Sequence, residues 1–176
     1  MRDEHDSRID GTEELGEATG GITGVLVGAG IGSAAGPIGT LIGGIAGALG
    51  GWWAGRAVVD AARTMTPADE AHFRAHYDEV ANRPADRNYD DVRGAYYLGQ
   101  IASHNPNYVE RKFAEVEPEL EQGWASYADK YGSWKTVRSY AEEGYARGQS
   151  KLDESARRAR AEREGRTEGE IEDRRP

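Results

Sequence analysis

An all-α protein is what this sequence predicts: a glycine-faced antiparallel helical hairpin, a small aromatic-rich helical bundle beside it, and disordered termini. Three observations lead there. Glycine recurs at every fourth position in two ladders, Gly20, Gly24, Gly28, Gly32, Gly36 and then Gly39, Gly43, Gly47, Gly51, Gly55. No charged residue interrupts 18–54. All nine tyrosines and both phenylalanines fall between Phe73 and Tyr145, at the three- and four-residue spacings of helices.

Residues 1–17 are acidic, carrying Asp3, Glu4, Asp6, Asp10, Glu13, Glu14 and Glu17 with almost nothing large to bury, and are expected to form a disordered arm. Their acidity lacks the basic region of a secretory signal, so membrane targeting is expected to come from the hairpin itself.

The hairpin is assigned to 18–59. Residues four apart share one helix face, so each ladder leaves a groove into which another backbone presses closely, the packing logic of membrane helices. Glycine in a helix costs roughly 1 kcal/mol relative to alanine, a penalty that close packing must offset. Gly36-Pro37-Ile38-Gly39 stops one helix and starts the next, because proline lacks a donor and suits a first helical turn. At helical rise Thr19 to Gly36 reaches about 27 Å and Pro37 to Val59 about 34 Å, near a hydrocarbon core of about 30 Å. Trp52, Trp53 and Arg56 read as an interfacial belt with a cationic anchor. The uncharged turn and the flanking arginines put both termini on the cytoplasmic side of an inner membrane. The alternatives are a soluble hairpin buried against the aromatic helices of its own chain, or a self-assembling glycine-rich rod.

The bundle is assigned to 64–149. Thr66-Pro67-Ala68-Asp69 starts its first helix, with Thr66 as cap. The next begins near Asn88 and ends at Ser103-His104-Asn105-Pro106. A third is expected from about Pro118 to Lys130, preceded by a turn bearing Phe113 and Val116, and a fourth from Ser133-Trp134 through Gly144. Gly144 and Gly148 repeat the four-residue spacing, an opening for a further close contact. Residues 150–176 crowd both charges together and read as a charged helical or disordered tail.

Chemistry is sparsely signalled. His72 and His76, with Asp69 and Glu79, sit at helical spacing and are the candidate metal positions; a surface pair is the plainer reading. No phosphate-cradling glycine–lysine motif and no nucleophile elbow occurs, so no enzyme and no cofactor are expected. A net charge of −9 without a basic face argues against nucleic acid. The absence of cysteine removes disulfides and thiolate chemistry.

The ladders with their central Gly-Pro turn resemble the glycine-zipper hairpins of bacterial envelope and stress-associated proteins. That resemblance spans about Gly20 to Gly55 and implies a two-helix membrane hairpin that oligomerises. Tyr89-x-x-Val92-Arg93-x-Ala95-Tyr96-x-x-Gly99, Phe113-x-Glu115-Val116-Glu117-Pro118-x-Leu120-x-x-x-Trp124 and Trp134-x-x-Val137 more faintly resemble an uncharacterised helical module of bacterial stress proteins. No activity follows from it. The expectation is a non-enzymatic, membrane-associated structural protein whose partners are itself and the lipid bilayer. A pore-forming or permeabilising assembly, and a soluble binding module with the hairpin packed on its own chain, are the alternatives.

Overall fold

In the computed structural model, residues 44–45, 48–54, 56–81, 83 and 86–172 are described. The acidic arm 1–17, the first ladder, and Gly39, Gly43, Gly47 and Gly55 of the second lie outside them. The described residues are helical, with no strand among them. A 3-10 turn over Gly51–Ala54 leads into α1 (Arg56–Ala62) and α2 (Pro67–Glu79). Then come α3 (Tyr89–Ala102), a 3-10 turn at Pro106–Tyr108, and α4 (Phe113–Trp124). A second 3-10 turn, Ala125–Tyr127, precedes the short α5 (Ala128–Tyr131) and the long α6 (Trp134–Glu172).

Local rules account for the starts of α2 and α3. At α2 the Thr66 side chain accepts from the Asp69 amide while Asp69 accepts from the Thr66 amide, and Pro67 occupies the first turn. Asn88 and Asp91 make the same reciprocal pair at α3. The third expected helix begins earlier than Pro118. Phe113, Val116, Leu120 and Trp124 lie on one face and all are buried, and the Glu115 carboxylate accepts from the Lys112 amide at 2.7 Å. Burial of that face outweighs the hydrogen bond lost at Pro118. The helix then tightens into the 3-10 turn rather than running to Lys130.

Helix α3 is the centre of the molecule. Val92, Ala95, Tyr96, Leu98, Ile101 and Ala102 are all buried, and its most extensive neighbour is α6. The two helices cross backbone to backbone. A Cβ built on Gly99 would fall 1.9 Å from the Ala141 carbonyl oxygen, and one on Gly144 2.0 Å from that of Tyr96. Gly148 lies equally close to Ser103. Around this crossing the aromatics interlock: Phe73 stacks on Tyr96 at 4.7 Å between ring centroids, and Tyr140 lies 5.2 Å from Tyr96. Trp124 donates to the Gly132 carbonyl at 2.8 Å, so the largest buried side chain leaves no orphaned N–H.

Polar ties bind α6 to its neighbours. Arg138 holds both Glu117 oxygens, at 2.7 and 2.9 Å, in a two-pronged bond. Asp69, fully buried at the start of α2, accepts from Arg147 at 3.0 Å and Lys151 at 2.6 Å. Burial raises the Asp69 carboxyl, but the bonds from Lys151, Thr66 and Arg147 outweigh it and hold the group well below the usual carboxylate range. From Asp153 to Gly165 the helix is exposed, laced by i,i+4 pairs such as Arg160–Glu164 at 2.8 Å. One continuous helix therefore crosses the composition boundary at 149/150.

Candidate functional site

The arrangement with the clearest bearing on function is the seam where residues 44–53 meet the bundle. Two interruptions create it. Gly50 and Gly51 have φ of 66° and 55°, a left-handed conformation that glycine adopts at little steric cost, and they end the helical conformation of Ala48 and Leu49. The helix expected to run unbroken from Pro37 to Val59 is thus cut. The Gly-Gly pair before Trp52 was the sequence signal for this turn.

Beyond the break the chain folds inward. Trp53 is 3% exposed, 6.4 Å from the Tyr108 ring, and its indole N–H donates to the Tyr108 hydroxyl at 3.3 Å. Tyr108 donates in turn to Glu119, and Arg111 lies over the same ring at 5.4 Å. Burial, followed by the hydrogen bond to Glu119, pushes the Tyr108 hydroxyl up to about 12, so it remains a donor to Glu119 even in alkaline solution where an ordinary tyrosine ionises. Val58 and Ala61 of α1 continue the buried line. The side chains of Trp52 and Arg56 lie outside the described residues.

On the near side of the break, Ile45 is fully buried. Two glycines, one on each partner, permit the approach. A Cβ on Gly44 would fall 1.3 Å from the Tyr127 hydroxyl oxygen, and one on Gly123 2.9 Å from Ile45 Cγ2 and 3.0 Å from Leu49 Cδ1. Among the described residues, nothing lies within 4 Å of the place where a Cβ on the ladder glycine Gly51 would sit.

The histidine pair lies elsewhere, between α2, α3 and α6. His72 Nε2 is 2.7 Å from Glu143 Oε1, while His76 Nδ1 is 2.6 Å from the Tyr96 hydroxyl and its Nε2 3.9 Å from Glu143 Oε2. Both rings therefore face Glu143 of α6, a residue the sequence spacing does not indicate. Asp69 is engaged by Arg147 and Lys151 instead. Among the described residues no group of three or more His, Cys, Asp or Glu side chains is arranged to hold a metal ion. Among the same residues no helix is long and apolar enough to cross a membrane.

Comparison with known proteins finds no matching family model, no matching curated protein and no matching solved structure. The fold and the seam define the class: an all-α bundle with an uncharged, glycine-rich segment seated on it.

Proposed function

We infer that this is a non-enzymatic structural protein whose aromatic bundle holds the base of a glycine-zipper hairpin, and whose hairpin associates with a membrane and with other copies of the chain. The observation that carries the reading is the seating of Gly44, Ile45, Leu49 and Trp53 in the bundle. It ties an uncharged run, 18–54, to a folded platform. Such a run, faced with glycine, suits close helix association where water does not compete for the backbone.

Liposome flotation followed by carbonate wash tests the membrane association, and chemical crosslinking tests the self-association. Gly28→Leu combined with Gly43→Leu fills both ladder grooves and abolishes the oligomer under this reading. Unchanged oligomers and unchanged stability in that double variant would remove the zipper. Dye leakage from the same liposomes separates an anchor, which retains dye, from a permeabilising assembly.

A second reading has its own support. The Gly44–Tyr127 and Gly123–Ile45 contacts are intramolecular, as a hairpin packed on its own chain requires. Under that reading the double variant stays monomeric and loses stability.

A further inference from the structure

Among the buried groups that neither the hairpin seam nor the ion pairs use, the Tyr96 phenol has the most specific surroundings. Its side chain is fully buried on α3, and Nδ1 of His76, on α2, lies 2.6 Å from its hydroxyl oxygen. The other nitrogen of that imidazole, Nε2, lies 3.9 Å from Glu143 Oε2 on α6. A carboxylate there favours the tautomer that carries its proton on Nε2, which leaves the Nδ1 lone pair to accept from the phenol. Glu143 is held in place by His72, whose Nε2 lies 2.7 Å from Oε1. Three helices thus align a phenol, a base and a carboxylate.

The phenol has no proton route to water. Burial, followed by the neighbouring Tyr140, Tyr89, Glu143 and Tyr77, pushes its hydroxyl well above the ordinary tyrosine range, so it does not ionise in neutral solution. The proton can leave only to His76, whose side chain is 28% exposed and reaches solvent. That transfer becomes favourable when an electron leaves with the proton, because a phenol that has lost an electron is a strong acid. The imidazolium formed then stands beside the Glu143 carboxylate, an opposite charge that favours it.

The electron has a path of its own. The ring centroids of Tyr140 and Tyr89 lie 5.2 and 6.1 Å from that of Tyr96, and Tyr77 lies 6.1 Å from Tyr140 and 5.9 Å from Tyr89. The other tyrosine hydroxyls are less well served. Tyr77 donates to the Arg87 carbonyl, which takes no proton, while Tyr97 and Tyr108 donate to the carboxylates of Glu70 and Glu119. An ordinary carboxylate, at about 4, is a weaker proton acceptor than an ordinary imidazole, at about 6.5. The chain has no cysteine, so no thiol competes as the electron donor.

We propose that Tyr96 is a one-electron redox site: its phenol gives an electron to a radical or metal-complex oxidant at the protein surface and its O–H proton to Nδ1 of His76, leaving a neutral phenoxyl radical inside the bundle. The oxidant is reduced by one electron, one O–H bond breaks and one N–H bond forms. The site lies apart from the hairpin and does not depend on the membrane reading.

The test uses the full-length chain with photogenerated ruthenium(III) tris-bipyridyl as the oxidant. Electron paramagnetic resonance identifies the radical, and transient absorption follows its formation. The expected result is a long-lived phenoxyl radical in the parent chain that is lost in Tyr96→Phe, a variant that removes one hydroxyl and keeps the ring stacked on Phe73. Tyr140→Phe alters the same group of rings without touching the histidine bond, and should retain the radical. His76→Gln keeps a hydrogen-bond acceptor but not a base, and should slow radical formation about 100-fold, the order that a positioned proton acceptor contributes. A parent chain without the radical, or the same radical in Tyr96→Phe, overturns the site. Equal loss in Tyr140→Phe overturns the assignment to Tyr96, and an unchanged rate in His76→Gln overturns the proton transfer. Far-UV circular dichroism of each variant establishes that the helices are intact.

Discussion

Two glycine-lined seams hold this molecule together, and what fills them differs in kind. Between α3 and α6, Gly99 and Gly144 are pressed against backbone: the Ala141 carbonyl and the Tyr96 carbonyl occupy the space a methyl would need. At the hairpin base, Gly44 and Gly123 are pressed against side-chain ends. The first seam has no atom that can step aside without moving a helix, so it behaves as a fixed core. At the second the nearest atoms belong to the side chains of Tyr127, Ile45 and Leu49. The same residue type therefore serves both a crossing of two backbones and a seam filled by side chains.

The largest expected effect lies in the fixed seam. Gly99→Ala or Gly144→Ala forces α3 and α6 apart and should cost at least about 3 kcal/mol, at or above the upper end for overpacking a core. Urea denaturation followed by far-UV circular dichroism measures it, and a loss below about 1 kcal/mol would erase the distinction between the seams. Next is Asp69, which fastens α6 to the start of α2 through Arg147 and Lys151. Asp69→Ala removes the bond from the Thr66 amide that completes the capping box and leaves two cations without their carboxylate, for a loss of about 2 kcal/mol.

The same carboxylate predicts a pH dependence. Its folded-state pKa lies below its unfolded value, so its contribution is complete above the ordinary carboxylate range and is lost as pH falls. The melting temperature of the parent chain should therefore drop more steeply below about pH 4 than that of Asp69→Asn, whose side chain has no carboxyl to protonate. Parallel curves for the two proteins would mean that the buried pair does not govern acid stability.

Smaller effects belong to the hairpin seam. Gly44→Ala displaces the outer end of the Tyr127 ring, its hydroxyl and Cζ, and should cost about 1 kcal/mol, with the α3–α6 crossing intact. A loss as large as that of Gly99→Ala would show that the two seams yield as one. Smallest, and opposite in sign, is Gln100, whose fully buried side-chain amide has no hydrogen-bond partner at either atom. Gln100→Met should stabilise the bundle by about 1 kcal/mol, because it removes the cost of an unsatisfied polar group at similar volume. A destabilised variant would mean that the amide serves a partner.

Much of the bundle was legible one helix at a time. Thr66 and Asn88 announce α2 and α3 because a cap is a bond between residues three apart, and Trp134 opens α6 where the sequence reading put it. The aromatic face of α4 was also visible, although Pro118 drew its expected start too far along the chain. The site was less legible. His72 and His76 were found by their spacing, but Glu143, which both of them face, lies on a different helix far along the chain. Trp53 carried the pattern of an interfacial residue, and nothing nearby in sequence names Tyr108 as its partner. Gly99 and Gly144 carry no local sign of each other either.

What the sequence by itself determined is the all-α class, the caps, the uncharged run and the aromatic composition of the core. Each of these depends on composition or on residues within one or two helical turns, the range over which hydrogen bonding and side-chain periodicity act directly. Only the tertiary structure decided which glycines meet backbone and which meet side chains, and that Trp53 turns inward. Those outcomes depend on which surfaces meet, and burial of apolar area is indifferent to the distance along the chain between the residues it brings together.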